Sequence, residues 1–181
     1  MIKIILNFFI IFFLLQNNLY SKSNFFIEGV NLYKEKKFET AKFKFEQDIV
    51  LNPKNELSYL YLSKIFNKQN KKNLEEQNLN TVMLLNPKNE EAIYNLAKLK
   101  LTASDFIKSK ELNNRLKSFC NKFCLKSDKL KIEIENLSKI FKELNKKNLE
   151  EQNLNTVILL NPNNEEAIYS LAKLKLETSD Y

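Results

Sequence analysis

Apolar residues recur at steps of three and four through Phe25, Phe26, Gly29, Leu32 and Tyr33, stop at the polar run 34–37, and resume through Phe38, Ala41, Phe45 and Ile49. That spacing predicts two amphipathic helices joined by a tight turn. Pro53 has no amide proton and restricts Asn52 before it, so the second helix ends there. Asn55 then caps a third helix, with Glu56 in its first turn, where exposed amides favour a carboxylate. Asn89 with Glu90 and Glu91, and Asn164 with Glu165 and Glu166, repeat the arrangement and predict two further helix starts.

The pattern is periodic. Asn52-Pro53 and Asn86-Pro87 lie 34 residues apart, and Asn161-Pro162 lies 75 further on. Residues 62–105 and 137–180 are near copies, identical at 36 of 44 positions. Four units follow, roughly 22–55, 56–89, 90–130 (elongated) and 131–164, with a closing helix at 165–178. A lone helix pair cannot bury its apolar stripe, whereas stacked pairs cover one another. Asparagine and proline supply the turns. The single glycine, Gly29, falls where paired helices approach most closely, and Ser63, Ala97, Ser138 and Ala172 stand at the corresponding places.

On these residues the chain resembles the tetratricopeptide repeat (TPR). The first unit matches that pattern through Phe25, Gly29, Leu32, Phe38, Ala41, Phe45 and Pro53. The second matches through Tyr59, Leu62, Ser63, Phe66, Leu79, Val82 and Pro87, the third through Ile93, Leu96, Ala97, Phe106 and Ser109. The fourth matches through Ile134, Leu137, Ser138, Phe141, Leu149, Leu154, Val157 and Pro162. Asp48 and Glu75 depart from it, each standing where the family has a small residue. Leu74 comes two residues late, which predicts an insertion in the preceding turn. The resemblance implies an all-α fold, an α-solenoid of about four stacked antiparallel hairpins plus a C-terminal capping helix.

It also implies a non-catalytic scaffold or adaptor that takes a peptide or helix of a partner protein in a concave groove. The groove positions implied are Phe26, Val30 and Tyr33 in the first unit, and Leu60, Lys64 and Asn67 in the second. The third supplies Tyr94, Lys98 and Leu101, the fourth Glu135, Lys139 and Lys142, and the last helix Tyr169, Lys173 and Leu176. Lys64, Lys98, Lys139 and Lys173 share one position in their units, so the register predicts a ladder of ammonium groups beside tyrosines, suited to an acidic partner segment. The alternative is a structural or assembly subunit of an envelope complex, held by its convex face or its terminal helix.

Composition narrows the function classes. The formal net charge is +7, but Arg115 is the only arginine and acidic residues interrupt the lysines throughout, which disfavours nucleic acid. There is no histidine, the commonest general base and metal ligand, so neither an enzyme, a cofactor nor a small-molecule substrate is expected. Cys120 and Cys124 stand four apart in SFCNKFC. On a continuous helix their side chains diverge, so they are expected to pack as small apolar residues beside Phe119 and Phe123, and a disulfide there requires a local break in the helix. Lys3, the apolar run 4–15 and the polar stretch 16–21 predict a signal peptide over 1–21, or an N-terminal membrane anchor if it is not cleaved. The protein is therefore expected in the periplasm or cell envelope, alternatively secreted or anchored, with membrane contact only through an uncleaved N-terminus.

Overall fold

The computed structural model describes residues 23–179, all helical or turn, with no strand among them. The expected export segment lies outside the described residues. Eight helices are described, and the chain divides into two compact units between Pro87 and Lys88.

The first unit holds α1 (Asn24–Lys34), α2 (Phe38–Leu51), α3 (Glu56–Lys68) and α4 (Lys72–Leu85). Each helix pairs with the next, and α2 packs on α3, so two hairpins lie side by side. The starts follow the capping chemistry: the Ser23 hydroxyl accepts the Phe26 amide at 3.1 Å, and Asn55 Oδ1 accepts the Leu57 amide at 3.3 Å. Each hairpin turn places one residue in the left-handed region, Lys36 at φ 62° and Asn70 at φ 59°. The amides after them, Lys37 and Lys71, then close the helix ends on the carbonyls of Leu32 and Phe66, both at 2.9 Å.

Phe26, Ala41, Phe45, Leu62, Ile65 and Phe66 form the core of this unit. Gly29 is required by contact rather than by φ, because a Cβ there would lie 2.8 Å from the Phe45 ring. Asp48 is buried yet satisfied: it accepts from the hydroxyls of Ser23 and Ser58 and from Nδ2 of Asn52 at 3.2 Å and Asn55 at 2.6 Å. One carboxylate thus ties the start of α1, the end of α2 and the start of α3. Replacing the family's small residue by aspartate exchanges a packing contact for a polar staple.

The second unit holds α5 (Glu90–Thr102), α6 (Phe106–Lys117), α7 (Cys124–Leu160) and α8 (Glu165–Ser179). Asn89 and Asn164 cap α5 and α8 as expected, accepting the Ala92 and Ala167 amides at 2.9 and 3.0 Å. Ser104, at φ 59°, turns α5 into α6. The seam between α6 and α7 is polar: Asn113 Nδ2 donates to the Ser127 carbonyl at 3.0 Å, and the Ser127 hydroxyl donates to Asn113 Oδ1 at 2.9 Å.

Three expectations change. No insertion precedes α4, because the left-handed residues Lys36, Asn70 and Ser104 keep an unbroken 34-residue step. Cys120 and Cys124 are bonded, with S–S 2.08 Å and Cα atoms 5.3 Å apart, rather than packing as free thiols. The helix break that such a bond requires is present, since α6 ends at Lys117 and α7 begins at Cys124. Finally, residues 131–160 do not turn back. They belong to α7, one helix of 37 residues and about 55 Å. The fourth hairpin is made by α7 and α8.

Candidate partner-binding surface

In the first unit α1 and α3 present a half-buried aromatic face. Tyr33 and Tyr61 meet edge to face with centroids 5.2 Å apart, and Tyr61 stacks on Phe45 at 4.9 Å, so the deep ring fixes the shallow one. The Lys64 ammonium sits 4.9 Å from the Tyr61 centroid, and Val30 packs alongside on the same core. The face therefore offers rigid rings with a positive charge over one of them.

Of the expected groove residues here, Val30, Tyr33 and Lys64 belong to this face. Phe26 and Leu60 do not. Each is only 4 % exposed, so they hold the hairpins together instead of lining a groove. The sequence register slipped by one position on α3, where Tyr61 rather than Leu60 reaches the surface layer. The signal for it was there: Leu57, Tyr61 and Lys64 follow one another at steps of four and three.

Asn67 has a different task. Its Nδ2 donates to both carboxylate oxygens of Glu75, at 3.0 and 3.1 Å. Burial pushes the Glu75 carboxyl above the usual range, while the Asn67 hydrogen bond and nearby Lys72 work against that rise.

In the second unit the expected residues separate. Lys98 Nζ lies 2.8 and 2.9 Å from the two carboxylate oxygens of Glu133 on α7, so this ammonium is engaged within the fold. Tyr94 packs its ring on Phe123, centroids 5.6 Å apart, beneath the Lys126 ammonium. Lys139 and Lys142 are exposed on α7, Tyr169 is exposed on α8, and Lys173 lines a shallow α7–α8 cleft with Glu143, Lys146, Glu150 and Glu177. That cleft mixes both signs of charge and is not a basic track. Leu101 is buried, while Glu135 and Leu176 are exposed.

Glu90 was read as a helix-start acid, and the structure gives it a second role. Its carboxylate accepts the amides of Asn121, Lys122 and Phe123 at 2.9, 2.9 and 2.8 Å, gripping the disulfide-closed turn that leads into α7. Desolvation raises its pKa, but the three amides together outweigh that and hold the carboxyl below its ordinary value. Among the described residues no three histidine, cysteine, aspartate or glutamate side chains come together as a metal site.

No protein-family model matches this sequence, and none of the curated proteins does. Solved structures do. The crystal structure of the Yersinia enterocolitica type III secretion chaperone SycD in complex with a peptide of the translocator YopD is similar at TM-score 0.59 and 17% identity, over 70% of this chain and 99% of that one. The Arabidopsis OM64 TPR domain is similar at TM-score 0.54 and 20% identity, over 60% of this chain and 93% of that one. The Sgt2 TPR domain from Aspergillus fumigatus gives TM-score 0.51 and 14% identity, over 67% and 80%. Likeness at such identities establishes the fold: TPR-like helix hairpins.

Proposed function

We propose that the protein is a non-catalytic adaptor that binds a peptide or helix of a partner protein on the α1–α3 face of its first unit. The observation that carries this reading is the Tyr33–Tyr61 pair with Lys64 above it: preordered rings bury apolar side chains at little entropic cost, and the ammonium selects an acidic neighbour. The structurally similar SycD, solved with a YopD peptide, supports peptide binding as a use of this fold. Residues 1–21 export the protein to the periplasm or cell envelope.

An amphipathic peptide carrying glutamates on its polar face is the probe, titrated by fluorescence anisotropy against the full chain. Tyr61→Ala and Lys64→Glu are each expected to weaken binding about tenfold or more, with the thermal unfolding midpoint of Lys64→Glu unchanged. The same peptide with lysine in place of glutamate is expected to bind less tightly. Equal binding by the two peptides, or by Lys64→Glu and the natural chain, refutes the assignment.

A further inference from the structure

The duplicated segment appears in two conformations within one chain, and the first shows what covers the second. In residues 62–82, Ile65 is 0 % exposed and Phe66 7 %; their counterparts on α7, Ile140 and Phe141, are 51 % and 42 % exposed. Leu137 and Val157 on α7 are 41 % and 40 % exposed, where their counterparts Leu62 and Val82 are 2 % and 0 %. In the first copy Leu62, Ile65 and Phe66 share a core with α1 and α2, and α4 folds back along α3 with its own Leu79 and Val82 fully buried. The straight α7 cannot do this within its own helix, because its two halves point away from each other.

We propose that two copies of this chain pair through α7, each lending residues 147–160 to cover residues 131–144 of the other, as α4 covers α3. The register comes from the first unit. There Asn67 meets Glu75, and Asn86 Nδ2 donates to Glu56 at 2.9 Å. Moved along by the 75-residue offset, these contacts become Lys142 with Glu150 and Lys131 with Asn161. Within one straight helix Lys142 and Glu150 are roughly 12 Å apart along the axis, and Lys131 and Asn161 roughly 45 Å. Between two antiparallel copies each pair meets twice, once on either side of a two-fold axis near Lys146. The substitution of Asn67's counterpart by Lys142 is what this geometry rewards: a neutral hydrogen bond becomes an ion pair, and symmetry doubles it. Such an isologous exchange closes on itself and stops at the dimer.

Light scattering on the full chain tests this, with a mass of twice 21.4 kDa expected. Lys142→Glu and Glu150→Lys should each raise the dimer dissociation constant about tenfold, and the double reversal should restore it. A second readout does not depend on those variants. Chains spin-labelled through Lys131→Cys, mixed with chains labelled through Asn161→Cys, should give a short distance between labels, while both labels on one chain diluted into unlabelled protein should give roughly 45 Å. A monomer at every soluble concentration overturns the proposal, whether its α7 is straight or closed into a hairpin. A dimer indifferent to charge reversal, or with no short mixed-label distance, overturns it too.

Discussion

Residues 62–82 and 137–157 differ at three adjacent positions, yet the first stretch turns back on itself at Asn70 and the second runs straight through Asn145. The three positions are the ones whose side chains hold the turn. Asn67 grips Glu75, the Lys68 ammonium lies 5.2 Å from the Phe38 centroid, and Gln69 Nε2 donates to Glu39 at 2.6 Å. Their counterparts are Lys142, Glu143 and Leu144, all strong helix formers. Surroundings differ as well. Glu39 lies on α2 of the preceding hairpin, and two 34-residue steps further along α6 carries Ile107 in the place of Glu39, with nothing to accept from an amide. A turn is thus set by a few side-chain contacts, two of them to the preceding hairpin, competing with helix propagation, and three substitutions move the balance.

The largest expected contrast is in the core. Ile65→Ala should lower the unfolding free energy by about 2–4 kcal/mol, and Ile140→Ala by less than about 1, read by urea denaturation in protein dilute enough that assembly does not enter. Equal losses would mean that the second copy also folds back in solution.

Transplanting the turn should come next. Asn67→Lys, Lys68→Glu and Gln69→Leu together remove three tertiary contacts and should destabilise the first unit by about 1–3 kcal/mol. The reverse exchange at Lys142, Glu143 and Leu144 should speed hydrogen exchange at the amides of residues 145–148, where a turn replaces helix. Unchanged exchange there would assign the straight helix to its surroundings rather than to its sequence.

The smallest effect separates Glu75 from Glu150. Because burial raises the Glu75 carboxyl, the native state holds its proton more readily than the unfolded chain. Stability is therefore expected to fall as pH rises through the window from the ordinary carboxylate value to the raised one. Glu75→Gln should remove that slope and add up to about 1 kcal/mol at neutral pH, since glutamine still accepts from Asn67. Glu150→Gln, at an exposed position, should leave stability within about 0.5 kcal/mol in protein dilute enough that assembly does not enter.

Much of the fold was legible along the chain. The asparagine caps, the proline stops and the 34-residue step specify where helices begin and end, because those are local backbone preferences. Of the groove positions expected in the first unit, Val30, Tyr33 and Lys64 lie on the half-buried aromatic face, whereas Phe26 and Leu60 proved to be core. A one-position slip on a helix rotates a side chain by about 100°, enough to exchange surface for interior. The lysine ladder failed for another reason. Position within a unit says where Lys98 emerges, but only the neighbouring helix brings Glu133 to it.

The order of helices, their caps and the duplicated stripe are consequences of residue spacing, since each rests on contacts within a few positions of the chain. Whether an identical stripe is covered, whether Ser23 reaches Asp48, and whether Glu90 grips the turn closed by the two cysteines depend on groups far away in sequence. Long-range packing settles those matters. That is why two nearly identical segments share one pattern and adopt two shapes.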